Sequence, residues 1–362
     1  MTTSSVSSGT NQIVNTFEFG VQYLVGPFGT DTVVAGGAVF STIVGGTSSF
    51  EIVSGGFAGR TTVNGGGIQI AESFGTVSGT IVNSGGEQVI SAGGIASATL
   101  VNSSGAQVVS SGGSAVSGTI VRSGGTEAVS NGGVAADAVI SSAGAELVLS
   151  GGVAGSTVVS SGGTLELLGG AQVNGPITLK AGGTEAIGSG YTLNVSATST
   201  GLAVLSGGIV DVQSGGHAND TVIQSGGVEN VLSGGHISGA TLSGGQLEIM
   251  SGGTAAATTI TFAGAGTLKL DRSTVFSGTI AGFAQPDLID LSDIAFGSST
   301  TLGYSGTTSS GTLTVSDGTH TASLKLLGQY TAANFNLSAD GHGGTLVSDP
   351  PVSSGGGLAP PH

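Results

Sequence analysis

The sequence predicts an all-β fold, a right-handed parallel β-helix (β-solenoid) with rungs of about 19 residues, and three observations predict it. Glycine recurs in two interleaved series. One runs Gly67, Gly86, Gly105, Gly125, Gly144, Gly163, Gly183, Gly208, Gly227, Gly245, and the other follows seven or eight residues behind at Gly75, Gly94, Gly113, Gly133, Gly152, Gly170, Gly190, Gly216, Gly235, Gly253. Aliphatic residues keep the same register: the fourth residue after each first-series glycine is Ile90, Val109, Val129, Val148, Leu167, Ile187, Val212, Val231 or Ile249. Finally, Gly-Gly pairs interrupt the β-branched runs every eight to eleven residues, and each glycine costs about 1 kcal/mol in a helix interior, so the runs read as strands.

The chain divides into four segments. Residues 1–45 read as an N-terminal cap and a looser first rung, with Phe17, Phe19, Tyr23 and Phe28 available to cover an exposed end. Residues 46–253 form the solenoid proper, about eleven rungs spanning on the order of 50 Å at the strand spacing of a sheet. Within the long arm, Val101, Val121, Ile140, Val159, Leu179, Val204 and Ile223 precede a first-series glycine by four residues, with Thr241 as the exception before Gly245, and Thr99, Thr119, Thr157 and Thr221 precede one by six. The right-handed sense follows the crossover rule for parallel strands. From residue 254 the Gly-Gly period stops, and 254–348 read as a C-terminal β-rich cap and secretion module containing two alternating strands around the hairpin signal Asp317-Gly318. Residues 349–362, rich in glycine and proline, read as a disordered tail.

Composition removes several classes. Among 362 residues there is no cysteine, which excludes disulfides and thiolate metal sites, and 71 glycines in pairs with only seven prolines do not fit collagen. Apolar runs stop at three or four residues, so no integral membrane helix is expected. A formal charge of −15 disfavours nucleic acid and anionic lipid. The opening MTTSSVSSGTNQIVNTFEF has neither the basic start nor the apolar core of a Sec-type leader, so the expectation is either a protein that stays inside the cell or an export address elsewhere in the chain.

The repeat Gly-Gly-x-Ala-x-x-Thr-x-Val-x-Ser-Gly-Gly-x-Gln/Glu-x-Val-x-x-Gly-Gly, carried here from Ser78 to Gly94 and from His217 to Gly235, resembles the AIDA-type repeat of autotransporter adhesin passengers. The resemblance covers residues 46–253. The segments Asp-Leu-Ile-Asp-Leu-Ser and Asp-Gly-His-Gly-Gly-Thr-Leu further on resemble the C-terminal modules of proteins exported by type I systems. Together they imply a secreted or cell-surface, non-enzymatic adhesin whose partners are other copies of itself, cell-surface or matrix glycans, and secretion machinery. Such adhesins end in a membrane β-barrel, and the residues after Gly253 are too few for one.

Three residue groups carry side chains capable of chemistry. Gln88, Gln107, Glu127, Glu146, Glu185 and Glu229 recur two residues after the first-series glycine, with Glu166, Asp211 and Glu248 one place later. Stacked carboxylates can hold cations or act as an acid and base pair on a polysaccharide, but a row that is the repeat itself reads as a solvated ladder on the outer face. His217 and His236, one period apart with Asp220 nearby, read as a surface stack without a third metal ligand. Asp287, Asp290 and Asp293, three carboxylates in seven residues, offer a weak calcium signal. No catalytic, cofactor-binding or metal-ligating residue is assigned. A carbohydrate-active β-helix enzyme, the alternative, should converge its basic residues on one groove, whereas the six lie scattered at Arg60, Arg122, Lys180, Lys269, Arg272 and Lys325. An ice-binding solenoid would show Thr-x-Thr on every rung, and only Thr259 and Thr261 do.

Overall fold

The computed structural model describes residues 2–18, 21–255 and 257–349. Among them there is no α-helix, only the single 3-10 turns Ser273–Val275 and Ala332–Asn334. The chain forms two compact units, Met1–Tyr191 and Thr192–His362. About 15 turns of some 19 residues make an all-β solenoid.

In the first unit three parallel sheets form the walls of the coil. One wall stacks ten strands from Thr2–Val6 to Ile177–Leu179, and a second stacks ten from Asn11–Val14 to Thr184–Ile187. The third stacks eight from Ala38–Phe40 to Gln172–Val173. Each residue pairs with its equivalent one repeat on, as in Gln88↔Gln107 and Ile90↔Val109. That register already holds at Thr2↔Val21 and Asn11↔Thr30, so the strands described before residue 46 stack in regular rungs where a looser coil was expected. Of the aromatics read there as a cap, Tyr23 is buried inside the coil while Phe17 and Phe28 are exposed; Phe19 lies outside the described residues.

The core follows from the strand period of two. On the second wall Ile90, Val109, Val129, Val148, Leu167 and Ile187 point inward and are fully buried, facing Val101, Val121, Ile140 and Val159 of the first wall. Leu179, expected in that row, is only half-buried. The third wall contributes small residues, Ala58, Ala96, Ala115, Ala135 and Ala154, which let the three walls close. Burying each large aliphatic contributes roughly 1.5–3 kcal/mol, and in-register stacking places every one against its own equivalent above and below.

The Gly-Gly pair has two separate reasons. At the corner before Ile95, Gly93 sits at φ +80°, which side-chain-bearing residues rarely adopt, whereas Gly94 has ordinary φ but no room: a Cβ there would stand 2.1 Å from the carbonyl oxygen of Ala71 on the preceding rung.

In the second unit the parallel stack continues past the end of the Gly-Gly period. Six parallel strands run from Thr192–Val195 to Leu288–Leu291, and the wall is then closed by Thr345–Ser348, antiparallel to Leu288–Leu291, and by Asn336–Ala339. On a second wall Thr321–Leu327 adds parallel to Thr279–Ala281 and turns the sheet antiparallel through Ser310–Ser316 and Thr301–Gly306. The hairpin expected around Asp317-Gly318 is thus present. Its Asp317 carboxylate accepts backbone N–H bonds from Thr319, His320 and Ala295, which hold it well below the usual carboxylate range. The aromatic cover of this unit is a cluster: Phe335 packs against Tyr330 (5.5 Å between ring centroids), Tyr304 (5.6 Å) and Phe283 (6.4 Å), and Tyr330 donates to the Phe283 carbonyl at 2.8 Å. The tail expected to be disordered falls, from residue 350 on, outside the described residues.

Candidate functional site

The Gln/Glu row is not on the outer face. Gln69, Gln88, Gln107, Glu127, Glu146 and Glu229 are completely buried and Glu185 is 7% exposed, so the expected solvated ladder is an interior one. The signal was in the spacing: a residue two places after the glycine and one four places after it lie on the same face of a strand, and the second is the aliphatic core row. By the same parity Thr99, Thr119, Thr157 and Thr221, two residues before their aliphatics, point inward. Glu166, Asp211 and Glu248, one place later, do face outward; on their rungs Leu165, Val210 and Leu247 take the interior position.

Inside the first unit these side chains form a continuous hydrogen-bonded column. Gln69 donates to Glu51 at 2.6 Å, Gln88 to Gln69 at 2.7 Å and Gln107 to Gln88 at 2.6 Å. From the adjoining wall Thr61, Thr80, Thr99 and Thr119 donate to Glu51, Gln69, Gln88 and Gln107 at 2.8–3.0 Å. Each amide therefore satisfies itself along the stack and across the coil. The column falters where glutamate replaces glutamine. Glu127 pairs in register with Glu146, neither offers an N–H, and the hydroxyl expected eleven residues after Glu127 is missing because position 138 is alanine. Thr119 spends its proton on Gln107, leaving both Glu127 oxygens without a donor, while Glu146 accepts only from Thr157 at 3.1 Å.

Burial and like charge set the protonation of this column. Desolvation first, then the charge of Glu146, push Glu127 well up, and desolvation lifts Glu146 to about 7. Asp31, Glu185 and Glu229 are likewise pushed up to about 7, chiefly by burial. A protonated carboxyl presents one O–H and can take the place of the glutamine amide in the stack. With no access from outside, these carboxyls are closed to a polysaccharide, and their chemistry is structural.

The outer faces carry rows of another kind. On the first wall Leu24, Ile43, Thr62, Ile81, Leu100, Ile120, Val139 and Val158 stand in register, with Leu24, Ile81 and Ile120 between 37% and 43% exposed. At the adjoining corner Ser84, Ser103, Ser123, Ser142 and Ser161 are exposed, one per rung. Beside them Asn102 donates to Asn83 and Asn83 to Asn64, both at 3.0 Å. In the second unit Asn230 donates to Asp211 at 2.8 Å, and Lys269 pairs with Glu248 at 2.7 Å.

The remaining sequence candidates resolve simply. His217 and His236 stack with ring centroids 4.8 Å apart, and Thr254 bonds His236 Nδ1. Asp287 and Asp293 do separate work: Asp287 accepts the N–H groups of Gly266 and Ala284, and Asp293 those of Ser273 and Thr274. No group of three or more potential metal ligands occurs among the described residues.

This fold and these faces define a class: a parallel β-solenoid repeat protein whose outer sides are in-register ladders of largely uncharged side chains. No family model matches the chain, and no curated protein does. Among solved structures it is similar to the TibC-catalysed hyper-glycosylated TibA55-350 fragment, at 30% identity over 76% of this chain and 97% of that one, with a TM-score of 0.45. A superposition at that score carries no argument, and the likeness to AIDA-type autotransporter adhesin passengers rests on the repeat of residues 46–253.

Proposed function

We propose that the chain is a non-enzymatic adhesin that mediates self-association, surface attachment and biofilm-matrix formation through the sides of the solenoid. The observation that carries this reading is the row from Leu24 to Val158, half-buried to exposed on successive rungs and free of charge, with hydroxyl and amide ladders beside it. Repetition makes many weak contacts additive in avidity, so other copies of the chain, and cell-surface or matrix glycans, can be held without a deep pocket. The TibA fragment is hyper-glycosylated by TibC, and the exposed serine row at Ser84, Ser103, Ser123, Ser142 and Ser161 is where this chain would accept the same modification. Intact mass of the native protein decides that point: discrete saccharide increments lost on replacing those serines by alanine support it, and an unmodified mass rejects it.

Light scattering of the purified protein, with clumping of cells that display it, tests the main reading. Self-association that weakens when Ile81 and Ile120 are changed to Lys supports it; monomers at every pH and salt, with no clumping, reject it. The 254–348 segment is proposed to carry export information, on its resemblance to type I substrates. Deleting 283–362 should then retain the chain inside the cell, and normal release of that deletion would reject the proposal.

A further inference from the structure

We propose that the outer face around Phe57 and Arg60 is a subsite for a carboxylate-bearing pyranose, an acidic sugar held by ring stacking and one guanidinium. The third wall is lined outside by small or aliphatic residues on most rungs: Phe57 continues into Thr76 and Ile95, and Gly59 into Ser78 and Ser97. At the start of this wall the pattern breaks. Phe40 meets Phe17 edge-on at 5.7 Å and Phe57 at a tilted 5.5 Å, and Gly59 makes the closeness possible, since a Cβ there would stand 2.8 Å from the Phe40 ring and 3.0 Å from that of Phe57.

Beside the rings, Arg60 occupies a corner that the following rungs give to Gly79 and Ala98. It is held at φ +58°, a conformation that costs a residue with a Cβ about 1–2 kcal/mol, and its N–H donates to the Ser78 carbonyl at 2.7 Å. The left-handed corner is the repeat's own, shared by Ser41, Gly79, Ala98, Ser117 and Asp137, so what sets this rung apart is the guanidinium that Arg60 places beside the rings. Arg60 is exposed and makes no ion pair among the described residues. Phe40, Phe57, Gly59, Arg60, Ser78 and Gly79 line an open depression of about 460 Å³, within the range of small-ligand sites.

The chemistry of the lining selects the occupant. The C–H face of a pyranose is polarised positive and packs on the electron-rich face of an aromatic ring, the glycines leave the backbone low enough for a ring hydroxyl to approach, and the guanidinium fork matches a carboxylate in two parallel bonds. In a chain of formal charge −15 an anionic sugar is repelled everywhere that a cation does not face it, so Arg60 sets both place and charge preference. Terminal sialic acids and matrix uronic acids share this chemistry. The inference deepens the glycan-attachment part of the proposed function, but a soluble saccharide can test it without any cell.

The experiment titrates the full chain with sialyllactose, a galacturonate trisaccharide and neutral lactose, read by saturation-transfer NMR and calorimetry. At least one acidic saccharide should bind about tenfold more tightly than lactose, and which one does identifies the source. Arg60→Gln should abolish the preference for acid over lactose, and Phe57→Leu should weaken binding of the acidic sugar about tenfold with an unchanged thermal melt. If Phe57→Leu melts early, Arg60→Lys decides: it keeps the charge, loses the fork and should bind with intermediate affinity. Equal binding of lactose, no binding of either acidic sugar, or an Arg60→Gln variant that keeps the preference overturns the subsite. Clumping of cells that display the wild-type chain is scored separately: no clumping while saccharide binding persists rejects self-association and leaves the subsite standing.

Discussion

At the scale of single residues, the interior column turns on which rungs carry an amide and which a carboxyl. Glu127 is the weakest link, facing Glu146 on the next rung with alanine where other rungs place threonine. Ala138→Thr should supply the missing donor and raise stability by about 1 kcal/mol, checked by denaturant melts. Glu127→Gln should stabilise further at pH 8, since it restores the N–H that Gln88 and Gln107 give to their neighbours, whereas Glu146→Ala should destabilise by leaving a cavity in a packed wall. Because burial raises Glu146, Glu185, Glu229 and Asp31 to about 7, the folded chain binds protons there that the unfolded chain releases near pH 4–4.5. Their contribution is therefore complete below that range and lost as pH rises through about 7, at roughly 3 kcal/mol per group. The melting temperature should climb as pH is lowered from 8 to 5, and Glu127→Gln combined with Glu146→Gln should flatten that slope. A melting temperature that falls steadily over this interval would contradict the interior placement.

At the scale of the rung, corners and walls impose different demands. Gly112 sits at φ +81° with room for a Cβ, whose nearest neighbour would be the Gly93 nitrogen at 4.0 Å, while a Cβ on Gly113 would come within 2.2 Å of the Ile90 carbonyl oxygen. Gly112→Ala should cost about 1–2 kcal/mol of backbone strain, and Gly113→Ala distinctly more because the clash is with backbone that cannot swing aside. Equal losses in paired thermal melts would remove this division of labour. In the wall, Val148 is fully buried between equivalents, so Val148→Asp should cost more than about 3 kcal/mol and open the adjoining rungs, seen as local loss of amide protection.

At the scale of the whole chain, charge is partly hidden. Asp31, Glu51, Glu127, Glu146, Glu185 and Glu229 are buried with raised affinity for protons, and protonating these six takes the formal charge from −15 to −9. Repulsion between copies should fade as pH falls from 8 to 6, well above the pI of about 4.3, and light scattering should rise over that interval. Scattering that stays flat down to the pI would mean the outer rows do not associate copies. Each rung touches mainly its neighbours, so a solenoid of this kind can fold by propagation from one end.

The period, the parallel stacking and the aliphatic core were determined by the sequence alone, because each depends only on residues a constant number of places apart and every rung repeats the same local physics. The hairpin at Asp317-Gly318 was legible for the same reason: turn chemistry is local. The inward Gln/Glu and Thr rows were also written in their spacing, yet the usual association of charge with solvent outweighed parity, and only the packed coil shows that amides stacked on amides can make such an interior satisfied. Where the register persists beyond the glycine pairs, as it does to Leu291, tertiary structure decided: side-chain caps such as Asp287, which accepts from Gly266 and Ala284, close corners that no period announces. The meeting of Phe40, Phe57 and Arg60 was decided there too, since residues almost a full turn apart become neighbours only when one rung lies on the next.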